Sequence, residues 1–182
     1  EICVCAHLTQ TRYAQKACAE IRGNMEFSEQ LKIYAETHFE NRKKYFASII
    51  SEIEAGLSLC SEEEALLIKF FYGTMPLRDA GEYPFEIFLS YVRHALWLRK
   101  TIDWCKKLPE DLFVHDVLYY RINSEDISDC RRFFYEQLKD RITGLDEYQA
   151  AVEINYWCVE HATYEMADDR TAGPMTMYRS GK

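Results

Sequence analysis

The chain has 182 residues and a formal net charge of −8, and 48% of its residues are hydrophobic. This composition supplies a packed core and excludes a disordered chain. With only 7 Gly and 4 Pro, the sequence has few of the turns that a sandwich or barrel requires, and it favours helices.

The charge pattern bears on partners and location. The short basic runs, such as 42–44, are typical of solvated helix faces, so nucleic acid and anionic membrane are not expected partners. No apolar run approaches the roughly 18 residues of a membrane span. The seven cysteines are an odd number and widely spaced, which predicts free, buried thiols in a reducing cytoplasm.

The first half of the chain predicts an arm and three helices. Residues 1–24 are expected to form an arm of unclear role, either loose or with a short helix around Thr11 to Arg22. A long helix is expected from Met25 to about Ala55, ended by Gly56. Ser61 and Glu64 have the spacing of a capping box at the start of the next helix.

That second helix is expected to end at Gly73–Pro76, and a connector is expected over Pro76–Tyr83. The segment Tyr83–Trp104 is apolar on much of its circumference. It therefore predicts the most buried helix of the protein.

The second half predicts a short helix over Asp111–Tyr120, a helix that begins at Asn123 or Ser124 and ends at Gly144, and a last helix from Asp146 to about Met166. Side chains in register along the last helix are Tyr148, Val152, Asn155, Val159 and Ala162. Residues 171–182 are expected to form an extended strap.

The fold prediction is therefore all-α. It consists of an irregular array of about six helices, with residues 25–170 as one helical domain, followed by the extended C-terminal strap.

Catalytic and metal-binding motifs are sparse. The sequence has no His-Glu-x-x-His and no Gly-x-Gly pattern. Cys158 with His161, and Cys3-x-Cys5 with His7, are short groups, whereas structural zinc needs four ligands. No metal or cofactor site is predicted.

Cys60 is a candidate nucleophile because it directly precedes a predicted helix N-terminus, which lowers the pKa of a thiol. The apolar turn of Leu57, Leu59 and Cys60 favours a core position instead. Arg121 and Glu125 lie on either side of a short turn. Arg121 is expected to fix this loop by bidentate bonding to a carboxylate or to backbone carbonyls.

Several segments together resemble one family. They are Leu108–Phe113, Val117–Glu125, a helix with Arg131-Arg132, Ile154–Trp157 and Pro174–Lys182. Their order is similar to the helical region that precedes the core of bacterial transglutaminase-like proteins, a branch of the papain-like superfamily. The resemblance covers residues from about 60 to 182.

The resemblance implies a nucleophilic cysteine in a Gly-x-Cys-Gly-Glu segment, followed by a histidine and an aspartate, all beyond Lys182. It implies no catalytic residue in this chain and a role as the non-catalytic helical region that supports the core or shapes its substrate cleft. The expected partners are that core and a protein or peptide substrate. The strap that leads to the core would be anchored by Met175, Met177 and Tyr178. In the isolated chain this strap is expected to be either poorly ordered or docked on an apolar groove of the helical domain. Trp157 is a further core-facing candidate.

A second hypothesis is a stand-alone helical module that binds a partner protein through exposed aromatic side chains. The candidates for this surface are Tyr119, Tyr120, Tyr156 and Trp157.

Overall fold

The computed structural model describes residues 26–118, 130–161, 175 and 178. The chain divides into two compact units, Glu1–Asn123 and Ser124–Lys182. This boundary falls inside the range 25–170, which the sequence treats as one helical domain. The all-α prediction is confirmed, because the described residues are helical with no strand among them.

The first unit contains seven α-helices within its described residues, which we number in chain order. They are α1 (Phe27–Arg42), α2 (Ile50–Leu57), α3 (Glu62–Thr74), α4 (Leu77–Glu82), α5 (Phe85–Thr101), α6 (Asp103–Lys106) and α7 (Glu110–Leu112). A 3-10 turn, Lys43–Phe46, follows α1, and a π-helical turn, Phe113–Val117, follows α7. The described part of the second unit contains α8 (Cys130–Ile142) and α9 (Glu147–His161).

The long helix predicted from Met25 to Ala55 is wrong, because it is interrupted after Arg42. The 3-10 turn tightens the chain there and places Phe46 in the core, where it is 2% exposed. Ile53 on α2 is equally buried. The 3-10 turn changes the direction of the chain, so that the apolar side chains before and after it pack into one core.

Gly56 does not end a helix, contrary to the prediction, since α2 continues through it to Leu57. A Cβ atom at Gly56 would lie 2.5 Å from Cε1 of Phe85. The glycine therefore serves the close approach of α2 to the Phe85 ring.

The predicted capping box at the start of α3 is confirmed. The backbone N–H of Glu64 donates to Oγ of Ser61 at 3.2 Å, and the backbone N–H of Ser61 donates to Oε2 of Glu64 at 2.9 Å. The end of this helix at Thr74 also agrees with the prediction. Gly73 lies against α1, where an added Cβ would be 3.0 Å from Cβ of His38.

The most buried helix is α3, not the predicted segment Tyr83–Trp104. Seven of the 13 residues of α3 are buried, against six of the 17 in α5. The difference arises because α3 contacts both α1 and α5. These two helices cover α3, which is therefore central to the first unit.

An aromatic core surrounds Tyr72 of α3, which is 1% exposed. Its ring lies 5.5 Å from the Phe46 ring and 5.5 Å from the Phe88 ring, centroid to centroid, both edge to face. Phe39 and Phe85 complete the set at 6.4 and 6.5 Å. Burial raises the pKa of the Tyr72 hydroxyl well above its usual range.

Two other segments depart from their predictions. The expected connector Pro76–Tyr83 contains α4, whose Asp79 and Ala80 are buried. Pro76, which precedes this helix, fixes a backbone angle compatible with a helix start.

The expected helix Asp111–Tyr120 is replaced, over its described part, by the end of α7 and the π-helical turn. The 3.6-residue period of a regular helix does not reveal a π-helical turn.

In the second unit, α8 and α9 form a helical hairpin. Gly144 ends α8 as predicted, and its φ of +81° is a conformation that suits glycine at a helix C-terminus. Asp146 then caps α9 by accepting from the Gln149 N–H at 2.8 Å. Arg141 of α8 donates to Glu160 of α9 at 2.7 Å.

The face of α9 that packs inward differs from the apolar register noted in the sequence. The buried residues of α9 are Ala150 and Trp157. Tyr148 and Val159, by contrast, are 76% and 77% exposed. The helix has apolar side chains on two sides, and the larger ring of Trp157 takes the inner position. The continuation of this helix toward Met166 lies outside the described residues.

Candidate functional site

The candidate site is a group of aromatic rings in mutual contact in the second unit, which we call the aromatic cluster. It contains Phe133 and Phe134 of α8, Trp157 and His161 of α9, and Tyr178. The Tyr178 ring lies nearly parallel to the Trp157 ring, at a centroid distance of 5.6 Å and an angle of 9°.

The hairpin sequence positions four of these rings. Trp157 and His161 are four residues apart on α9, so they share one helix face. Their rings stack at 4.3 Å, and Nδ1 of His161 is 2.8 Å from the carbonyl oxygen of Trp157. Phe134 meets Trp157 edge to face at 5.8 Å across the hairpin.

Tyr178 is the fifth ring and comes from the C-terminal segment. Besides Trp157, it contacts Phe133 at 5.1 Å, Phe134 at 5.9 Å and His161 at 6.1 Å. Aromatic pairs of this kind stabilise by about 0.5–1.5 kcal/mol each beyond the area they bury. One tyrosine side chain is therefore held by four rings of the hairpin.

Two of the sequence-predicted site residues, Trp157 and Tyr178, are thus in contact. The expectation that Trp157 is exposed is wrong, since it is 7% exposed within this cluster. Tyr156, by contrast, is 61% exposed, as predicted. Arg121, Glu125, Met177, Tyr119 and Tyr120 lie outside the described residues.

The predicted extended strap is wrong at its two described positions. Met175 and Tyr178 both have helical backbone conformation and are half-buried. The sequence favoured extended structure because residues 171–174 interrupt the helical pattern and Met175–Tyr178 is short and apolar. A short apolar run does not by itself distinguish a strand from a helix.

Two of the described thiols, those of Cys60 and Cys105, have a raised pKa. Burial, and then the Glu64 carboxylate, raise the pKa of Cys60, while Arg93 lowers it less. Burial also raises the pKa of Cys105. A raised pKa leaves less of the reactive thiolate at neutral pH. Cys60 is half-buried, and its Sγ donates to the carbonyl oxygen of Gly56 at 3.4 Å.

The four described cysteines are not all buried as expected. Cys105 is buried, Cys60 and Cys130 are half-buried, and Cys158 is exposed. Cys158 lies on the outer part of α9, because Trp157 occupies the inner face. Within the described ranges, no three or more His, Cys, Asp and Glu side chains come together as a metal site would require.

The contact between His115 and Asp116 in the first unit was not predicted from the sequence. Nδ1 of His115 is 2.5 Å from Oδ1 of Asp116, within the π-helical turn. Its other nitrogen, Nε2, is buried and has no hydrogen-bond partner in the described structure. The adjacent His-Asp in the sequence was the available signal. Without a thiol or hydroxyl bonded to Nε2, the pair does not form a nucleophile–base arrangement.

Comparison of the chain with family models, with curated proteins and with solved structures found no match. None of the described helices has the length and apolar character to cross a membrane.

Proposed function

We propose that this chain is a non-catalytic helical region of a transglutaminase-like cysteine enzyme, in which the aromatic cluster anchors the segment that leads toward the catalytic core. The observation that carries this proposal is the stacking of Tyr178 on Trp157 at 5.6 Å and 9°. The order of the sequence segments from Leu108 to Lys182 supports it.

The physical reason for such an anchor is positional accuracy. Catalytic groups must be held within about 0.5 Å of their productive geometry by well-packed supporting residues. Tyr178 is four residues before Lys182, and four rings restrict its movement. A core that begins shortly afterwards would have its first segment fixed at that point. In this proposal the chain itself supplies no nucleophile, and the core performs acyl transfer or amide hydrolysis.

The first experiment reads the gene beyond the codon for Lys182. We expect the frame to continue into Gly-x-Cys-Gly-Glu, with a histidine and an aspartate downstream. A stop codon, or an unrelated sequence, would overturn the proposal.

The second experiment tests the anchor in the longer product. Amine incorporation and ammonia release from a glutamine-containing peptide would be measured for Tyr178→Ala and Trp157→Ala. We expect a loss of about tenfold or more in kcat, because small displacements of catalytic groups are costly. Tyr45→Ala is the matched control, since Tyr45 is an exposed tyrosine of the first unit. Equal activity of all three variants would show that the cluster does not position the core.

The second candidate function is a stand-alone helical module that binds a partner protein. The observation that favours it is the exposed side of α9, where Tyr148, Tyr156 and Val159 are 76%, 61% and 77% exposed. The two candidates differ in the first experiment, because an independent module requires no downstream catalytic sequence.

A further inference from the structure

The outward side of α9 has the pattern of a helix face that packs against another element. Its exposed large hydrophobic side chains are Tyr148, Tyr156 and Val159, and in the described part of the second unit no others are exposed. Val152, half-buried, lies between them. These positions repeat at three-, four- and eight-residue steps, so they form one stripe about three turns long.

The stripe is not the side of α9 that joins the hairpin. Ala150 and Trp157 make that contact and are 2% and 7% exposed. At about 100° per residue, Trp157 lies on the opposite side of the helix from Tyr148. A helix with apolar side chains on both sides buries one of them here and leaves the other for a second partner.

The acidic residues that α9 contributes beside the stripe have no basic counterpart on the same helix. The sequence of α9 includes Glu147, Glu153 and Glu160 but neither Lys nor Arg. Glu153 and Glu160 lie three residues before and four residues after Tyr156, so both flank its ring. Glu160 accepts a bond from Arg141 of α8, which compensates part of its charge, and it remains 52% exposed. An exposed tyrosine ring between two carboxylates suits a cation, which both the ring face and the carboxylates attract.

A second copy of the chain would be a poor occupant of this face. Two α9 helices packed side by side would bring the glutamates of one next to those of the other, and like charges in close register repel. The net charge of −8 adds to that repulsion. A cationic partner gains from the same charges.

We propose that the outward face of α9 docks a basic amphipathic helical segment of a partner protein. An Arg or Lys of that segment lies over Tyr156 between Glu153 and Glu160, and its apolar side chains pack on Tyr148 and Val159. This inference rests on the exposed face and on the charges beside it, and it does not depend on the anchoring role of Tyr178.

The test selects binders of the full chain from a displayed library of random peptides. Each peptide is about 16 residues long, so that as a helix it can run along the whole stripe. We expect enrichment of peptides in which Lys or Arg alternates with apolar residues at helical spacing. Binding of a selected peptide, measured by fluorescence anisotropy, should weaken by about tenfold or more in Tyr156→Ser, as for a central interface residue. Val159→Ser gives a second variant, and circular dichroism checks that both remain folded.

Tyr45→Ser is the matched control, because Tyr45 is 58% exposed against 61% for Tyr156. Its affinity for the peptide should equal that of the wild type. Glu153→Gln should lower the affinity for the same peptide, and this loss of affinity should be smaller at high salt. Recovery of no binders, recovery of acidic peptides, or unchanged affinity in both serine variants of α9 would overturn the inference. The inference would also be overturned if the chain formed dimers and the Tyr156→Ser substitution dissociated them.

Discussion

At the scale of single residues, the contact between α1 and α3 depends on Gly73. A Cβ atom there would lie 3.0 Å from Cβ of His38 and 3.4 Å from the backbone nitrogen of Phe39. Backbone atoms cannot move aside as a flexible side chain can, so a methyl group would force the two helices apart.

We therefore predict that Gly73→Ala lowers the free energy of unfolding by about 1–3 kcal/mol, the usual range for overpacking. Gly81→Ala is the control, because nothing lies within 4 Å of its added Cβ. That variant should be neutral or more stable by up to about 1 kcal/mol, since alanine favours helices. Urea titration of both measures the difference, and equal effects would contradict the role given to Gly73.

Glu64 gives a prediction about pH. The Arg93 guanidinium, which donates to Glu64 at 2.8 Å, and then the backbone N–H of Ser61 lower the pKa of this carboxyl. A carboxyl whose pKa is lower in the folded state stabilises the fold above its unfolded-state pKa. That contribution is lost as the pH falls through the folded-state pKa.

We expect Glu64→Gln to be less stable than the wild type by about 1 kcal/mol at pH 7, the typical value of a helix cap. The difference should shrink as the pH is lowered through and below the usual glutamate range near 4. Glu62→Gln is the control, because Glu62 is exposed in the same first turn of α3. Thermal unfolding at several pH values tests this, and a difference independent of pH would contradict it.

At the scale of elements, the α8–α9 hairpin depends on its turn. Gly144 has a φ of +81°, and nothing lies within 4 Å of the Cβ that a substitution would add. The cost of a substitution is therefore backbone strain alone, about 1–2 kcal/mol for a residue with a Cβ.

We predict that Gly144→Ala destabilises the second unit by about that amount, and that Gly144→Asn costs less because asparagine tolerates left-handed backbone. Hydrogen exchange of α8 and α9 amides measures both variants. Equal effects of alanine and asparagine would contradict the role given to the left-handed backbone at Gly144.

Which elements the sequence predicts depends on whether their signals are local. The Ser61–Glu64 box and the Gly144 end were found because all their atoms lie within a few residues. The Gly56 contact with Phe85 and the break after Arg42 depend on partners far along the chain, so they were not found. The Tyr178 stack on Trp157 joins residues 21 positions apart, and although both were named as site residues, their stacking was not predicted. The inward face of α9 was missed because two of its sides are apolar.

At the scale of the whole molecule, each compact unit has its own buried aromatic set. Phe88 is 0% exposed in the first unit, and Trp157 is 7% exposed in the second. Replacing either ring by alanine typically costs about 3–5 kcal/mol. We predict that Phe88→Ala increases hydrogen exchange mainly in residues 26–118, and that Trp157→Ala does so mainly in residues 130–161. Equal increases in both ranges for either variant would show that the units unfold as one.

The three tryptophans of the chain are distributed so that one of them can act as an optical probe. Trp97 and Trp104 belong to the first unit, and Trp157 to the second. A protein with Trp97→Phe and Trp104→Phe would emit from Trp157 alone. Tyr178, stacked 5.6 Å away, would transfer its excitation to that indole. Loss of this transfer and a red shift of the emission would report, in real time, the release of the C-terminal tyrosine from the hairpin.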